Sequence, residues 1–287
     1  MEQENSSLFK RIIFAILAVI LTVALILVGG ILGDLATAPM QKSSNAAIAF
    51  GGMYASFIGI WIILLLVNRI GKGNRKFFSA LKPSKARWKI SVGLGLLLGF
   101  GLNLVVGITA QLLGEINIYY DSFNPLPFLF LLICVCIQSG AEELAFRWFL
   151  YQRLSKYFPK TPAVAILVNA LIFMGLHVFN GGITLIGMLH LVFMGVICSL
   201  FVYYFDSFWG VVIIHTGWNF CQSILLGLPN SGVVSAYSVF KLDAATATSG
   251  FAYNVDFGIE GSVMAVILQV IIIIGLLIYG RKRKAAS

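Results

Sequence analysis

The sequence predicts an all-α, polytopic membrane protein, with about eight transmembrane helices enclosing an intramembrane polar cavity. Three observations carry that expectation. Of the 287 residues, 59% are apolar and only 11% charged, whereas a soluble domain carries about 25% charged residues. Apolar runs approach the ~20 residues needed to cross hydrocarbon, and they recur along the whole chain. A few ionisable side chains lie inside those runs. Each costs about 2.5–3.5 kcal/mol at mid-helix, so such groups face an interior and pair with other polar groups.

The apolar runs delimit the spans Ile12–Gly33, Ala46–Val67, Ile90–Leu113, Phe128–Tyr151, Pro162–Phe179, Ile183–Phe205, Phe208–Leu226 and Gly261–Tyr279. With eight crossings, alternate connections share one side of the bilayer. All of the 20 Lys and Arg except Lys42, Lys241 and the intrahelical Arg147 fall on the side of the two termini. The excess of basic residues on that side is expected to be cytoplasmic. The net charge of +9 is thus accounted for by topology, and no nucleic-acid partner is implied. The first span follows Lys10-Arg11 and precedes Ala36-Thr37-Ala38. Its apolar stretch exceeds the 7–15 residues of a secretory signal, which favours a retained anchor.

Spans two and three carry Gly51, Ala55 and Gly59, and Gly95 and Gly99, at helical spacing. Small residues in such ladders let helices approach closely. The basic connection at 68–89, with Phe77, Phe78, Leu81 and Trp88 interleaved, suits either an anionic leaflet surface or plain solvation. The connection at 229–260 is rich in Ser, Ala, Thr and Gly and shows no periodicity, so it reads as a disordered stretch or a cap. No repeat or second domain is visible, and 1–287 reads as a single membrane domain. Cys134, Cys136, Cys198 and Cys221 all lie in apolar runs, which suits packing and not a disulfide framework or zinc ribbon.

Span four, FLFLLICVCIQSGAEELAFRWFLY, holds the costliest groups: Glu142, Glu143 and Arg147. Glu143 and Arg147, at i and i+4, share a helix face, so one carboxylate is neutralised and Glu142 is left to act. Span five contributes His177, span six His190, and span seven His215 and Asn219 on one face. At about 1.5 Å per residue, His177 lies roughly 24 Å above Thr161, and Glu142 roughly 21–27 Å above Lys156–Lys160. His215 and Asn219 lie roughly 12 and 18 Å above Ser207, so tilt must absorb an offset. Each group has a purely structural alternative: an ion pair for Glu143–Arg147, interhelical hydrogen bonding for Asn219 and for His190. Two Glu, one Arg, two His and one Asn on three spans exceed what packing requires. Hydrolysis of a peptide bond needs a base for water, a partner to hold it, and donors for the oxyanion. Glu142 with His177 suits the first two roles, and His215 with Asn219 the third. Glu143 and Arg147 would hold the helix rotation that aims Glu142.

These residues form three ordered motifs: Glu142-Glu143-xxx-Arg147, Phe173-xxx-His177 and His215-xxx-Asn219. In them the chain resembles the CAAX protease and bacteriocin-processing family, also called Abi, of intramembrane glutamyl endopeptidases. The likeness covers about residues 125–221. It implies an eight-helix fold and a glutamate-activated water without metal or other cofactor. Glu142 and His177 would be the water activators, His215 and Asn219 the oxyanion hole, and Glu143 and Arg147 the support. Trp148 stands where the family commonly has glycine. The implied substrate is a peptide or membrane-associated protein, in bacteriocin or peptide-signal processing or in self-immunity. The competing readings are a zinc-dependent membrane protease, although HExxH is absent, and a non-enzymatic immunity or regulatory protein. A proton-coupled transporter is disfavoured by the lack of a repeat.

Overall fold

A computed structural model describes residues 7–70 and 88–285 of the chain; the basic connection at 68–89 falls largely outside the described residues. Eight helices occur among them: α1 (Leu8–Gln41), α2 (Ala46–Ile70), α3 (Trp88–Leu112), α4 (Pro125–Tyr157), α5 (Pro162–His177), α6 (Leu185–Phe205), α7 (Phe208–Phe220) and α8 (Val263–Ala285). Six of these, α1 to α4, α6 and α8, are long and apolar enough to cross a membrane. The expected eight spans are therefore matched by six on length. The fifth, α5, has only 16 residues, stopping at His177 before Asn180-Gly181-Gly182. The seventh, α7, has 13 residues in α geometry and continues as a π turn over Cys221–Leu225.

The helix ends follow from local chemistry. Asn124 caps α4, its side chain accepting from Leu126 N–H with Pro125 at the first helical position, where a missing N–H costs nothing. Thr184 and Ser207 cap α6 and α7 in the same way. The first helix is apolar all round. It turns Ile, Leu and Phe outward and buries mainly small groups, namely Ala18, Thr22, Gly29, Gly33 and Thr37. Thr22 and Thr37 donate their hydroxyls to the Ala18 and Gly33 carbonyls of their own helix.

Small residues bring α1 and α2 into backbone contact. A Cβ at Gly33 would run into the Ser56 carbonyl, and one at Gly59 into the Gly29 carbonyl. Likewise Gly51 seats the Phe130 ring of α4, and Gly95 and Gly99 lie on Gly210 and Ile214 of α7. The predicted glycine ladders are thus packing surfaces. The cysteines are free, and all but the half-buried Cys136 are buried.

The ends of the bundle alternate as an up-and-down chain requires. Phe14 of α1 stacks on Tyr157 of α4, and Phe205 of α6 on Tyr279 of α8. At the opposite end the 113–124 and 226–262 connections meet. There β1 (Ile118–Tyr120) pairs antiparallel with β2 (Phe240–Leu242), Tyr119 facing Lys241. This two-stranded ribbon is an addition to the expected all-α architecture. Lys241 pairs with Asp121 at 3.0 Å and holds that carboxyl below its ordinary range. The 229–260 connection is folded over this end of the bundle, as a cap.

Replacement of Gly33 by valine should force α1 from α2 and cost about 1–3 kcal/mol, as overpacking does. Thermal unfolding in detergent should show that loss for Gly33→Val. The neighbouring Gly30→Val, with nothing within reach of its Cβ, should not show it.

Candidate active site

The polar groups of α4, α5 and α7 converge on a cavity of about 360 Å³ whose wall includes Glu142, His177, His215 and Asn219. Helix α4 supplies the centre. Its α geometry is interrupted after Glu143, where Leu144–Leu150 form a π-helical stretch before α geometry resumes at Tyr151, a local unwinding common at functional sites. A π turn leaves carbonyls without their regular partners, and neighbours supply them. Buried Asn169 of α5 donates to the Phe146 carbonyl at 2.6 Å, and Arg153 to that of Phe149 at 2.9 Å. Regular helical spacing was the expectation here, and the unwinding is the departure from it.

The two carboxylates occupy different environments. Glu143 is fully buried behind the cavity and accepts from Arg147 Nη1 at 3.1 Å and from His215 Nδ1 at 2.9 Å. The Arg147 guanidinium lies 4.4 Å from the Phe173 ring centroid, a cation–π contact that spreads its charge. Glu142 lines the cavity. Its Oε1 accepts from Gln138 Nε2 at 2.7 Å, and its Oε2 lies 3.6 Å from His215 Nε2. His215 thus bridges the adjacent carboxylates, one ring nitrogen to each.

His177 stands on the same wall with its Nδ1 2.7 Å from the Phe173 carbonyl oxygen. A carbonyl only accepts, so Nδ1 carries the proton and Nε2 is left with its lone pair in the neutral ring. Asn219 donates to Gln138 Oε1 at 3.1 Å and accepts from Asn230 at 3.2 Å. Among the described residues, no hydrogen bond joins Glu142 to His177; they share the cavity. Asn219 and His215 point their donors at Gln138 and at the two carboxylates. The offset in depth that separated α7 from α4 on simple rise per residue is therefore closed.

Several site residues escaped sequence reasoning. Gln138 sits one turn before Glu142, and helical spacing could have singled it out. Asn230 and Glu260 come from the connection between α7 and α8, which carries no periodic signal. The buried Glu260 accepts from Ser231 N–H at 2.6 Å and from Trp218 Nε1 at 3.3 Å. His190, read as a structural hydrogen-bonder, packs its ring at a tilt against Trp218, centroids 5.0 Å apart, and places Nε2 4.0 Å from Glu260. It lines the same cavity. Trp148, in the position of the family glycine, is buried against Phe208 with ring centroids 5.5 Å apart. It takes no part in the cavity wall.

Residues 124–221 match the family model of the type II CAAX prenyl endopeptidases described as Rce1-like. This part of the chain is similar to that family. The matched segment begins at the cap of α4, ends where α7 passes into its π turn, and contains all three motifs. The match supports an intramembrane endopeptidase of the CAAX type. Searches of curated proteins and of solved structures found no match. Within the Rce1-like segment and the rest of the described residues, no three His, Cys, Asp or Glu side chains cluster as a metal site would require.

Glu260 lies outside the spanning helices, just before α8. Burial pushes its pKa up to about 7, against the opposing effect of the Ser231 and Trp218 donors. Between the ordinary value of 4.5 and 7, the unfolded carboxyl has lost its proton while the folded one keeps it. Stability should therefore fall as pH rises through that window and level off above it, by about 3 kcal/mol in all. In Glu260→Gln, thermal unfolding at pH 5 and pH 8 should lack this component.

Proposed function

We propose that the chain is a glutamate-dependent intramembrane endopeptidase that needs no metal. The observation that carries this reading is a single cavity, within a bundle of membrane helices, shared by Glu142, His177, His215 and Asn219. Glu142 is the general base, and His177 Nε2 accepts a hydrogen bond from the same water. As Glu142 takes the proton, the water oxygen attacks the scissile carbonyl carbon. The carbonyl oxygen becomes an oxyanion that receives N–H bonds from Asn219 Nδ2 and from Nε2 of His215, which serves as an imidazolium because its Nδ1 proton is donated to Glu143. Those donors now face Glu142 and Gln138, so a bound carbonyl would take the place of protein acceptors. Collapse of the tetrahedral adduct breaks the C–N bond, and the proton held by Glu142 passes to the leaving amine. Glu143 and Arg147 fix the rotation of α4 and the imidazole of His215.

The substrate is a peptide or a membrane-associated protein, with bacteriocin or peptide-signal maturation and self-immunity as the settings. The basic ends and connections support a cell-membrane protein with both termini cytoplasmic.

Glu142→Ala should abolish cleavage, a loss of at least about 10²–10⁴ as for a missing general base. Asn219→Ala should lower kcat by about 10²–10³. Both should be made in protein that expresses and unfolds like wild type. Mass spectrometry of membranes from wild-type and Glu142→Ala cells should reveal peptides produced only by the former, and chelators should leave cleavage intact. Full activity in Glu142→Ala, or stoichiometric zinc whose removal stops cleavage, would overturn the reading.

A further inference from the structure

Three amide side chains run in series between two carboxylates. Gln138 donates to Glu142, Asn219 donates to Gln138, and Asn230 donates to Asn219. The same Asn230 Nδ2 lies 3.5 Å from Glu260 Oε1. Every member is buried or half-buried and lines the cavity. The outer members of this series, Asn230 and Glu260, lie beyond the Rce1-like segment, which ends at residue 221.

An amide presents a donor at one end and an acceptor at the other, in nearly the same shape, so its neighbours decide which end points where. A carboxylate only accepts. Above about pH 7, where it is ionised, Glu260 therefore demands a donor and draws the NH₂ group of Asn230. With that NH₂ group facing both Glu260 and Asn219, Asn219 must answer with its oxygen, and its own NH₂ is turned into the cavity. Glu142 imposes the same polarity from the opposite end through Gln138. When an incoming carbonyl displaces Gln138 from Asn219, the inner constraint is lost. Only the outer one then remains.

We propose that Asn230 and Glu260 are positioning residues that keep the N–H donors of Asn219 aimed at the developing oxyanion. The proposal rests on the role given to Asn219 under the peptidase reading. The α7–α8 connection is then part of the catalytic apparatus and not only a cover.

The test is an inversion of polarity. Asn230→Asp offers Asn219 only acceptors, and adding Glu260→Gln supplies the donor that the new carboxylate then needs. The double variant keeps the number and shape of the groups but reverses the order, so Asn219 turns its oxygen to the cavity. Activity is measured at about pH 8, where Glu260 is ionised, on a synthetic peptide spanning the cleavage site identified in the membrane comparison above. Glu260→Gln alone should lose about two- to fivefold in kcat, because glutamine can still present its oxygen to Asn230. In the double variant the Asn219 oxygen faces the Gln138 oxygen that Glu142 holds in place, so this variant should unfold somewhat below the wild-type temperature. Assayed where it is fully folded, it should lose about 10²-fold or more in kcat, as for a missing oxyanion donor, with KM within about threefold. A folded double variant with wild-type kcat would overturn the proposal. A substrate-free readout separates this from the peptidase reading. Spectra of ¹⁵N-asparagine-labelled full-length protein in nanodiscs should show the Asn219 amide protons moving downfield in the double variant, towards a carboxylate acceptor. An unmoved amide refutes the relay whatever the enzyme does. A moved amide in protein that never cleaves, wild type included, supports the relay and refutes the peptidase reading.

Discussion

Two adjacent carboxylates in the middle of an apolar helix impose the constraint to which the rest of this structure answers. A charge removed from water must be met by partners of good geometry, and stripping one partner from a buried pair costs about 3–5 kcal/mol. Glu143 is met twice, by Arg147 on its own helix and by His215 on α7. The guanidinium is in turn steadied by the Phe173 face. Because the bridge spans α4, α5 and α7, the ion pair ties together the helices that surround the cavity. Glu142, one residue earlier, faces the cavity without a cation of its own on α4.

The irregular backbone follows from the same constraint. Non-helical geometry inside a membrane protein is tolerated where freed carbonyls find donors or line a cavity. The π stretch of α4 begins immediately after the two glutamates, and Asn169 and Arg153 satisfy its exposed carbonyls. A second π turn ends α7 just past Asn219, and there Gln222 donates to the Pro229 carbonyl while accepting from Asn103. A further π stretch, Leu97–Gly101, interrupts α3 where it packs on α7. Those of α4 and α7 lie beside the residues proposed to do chemistry, and the buried amide of Asn169 satisfies a carbonyl freed in α4. The shortness of α5 and α7 fits this arrangement, since α7 is enclosed by its neighbours along most of its length.

The sequence made the helices and the three motifs legible because those signals are local. Apolar run length gives the spans, and i, i+4 spacing gives the Glu143–Arg147 pair and the shared face of His215 and Asn219. What stayed hidden depends on the meeting of distant segments. Glu260 sits in Gly258-Ile259-Glu260-Gly261, where nothing distinguishes a buried carboxylate from a solvated one. Its burial is created by Ser231, Trp218 and His190 arriving from elsewhere. His190 alone looked like a lone structural histidine, and only the position of Glu260 gives it a charged neighbour. The π stretch has no sequence mark either, since Leu144–Leu150 would form a regular helix on propensity alone. Trp148 illustrates the opposite case. A bulky residue in the place of a small one suggests crowding of the site, yet the ring turns into the core against Phe208.

The cavity is divided, and the division bears on what can react there. Gln138, Glu142, His177, His215, Asn219 and Glu260 make one side polar, while Ile26, Met53, Phe57 and Ile60 from α1 and α2 make another apolar. Apolar side chains of a bound segment gain by facing the second wall. Its backbone carbonyl must face the first. Within an α-helix that carbonyl is already engaged by the N–H four residues on, so a helical segment offers the donors of His215 and Asn219 nothing to hold. A volume of about 360 Å³ also falls short of a helix about 10 Å across running for several turns. Under the peptidase reading, the segment that reacts is therefore extended at the scissile bond, through unwinding or because it never was helical. Its unpaired N–H and C=O groups, costly in lipid, find partners in this polar wall, which makes the cavity a place where an unwound backbone is stable enough to be cut.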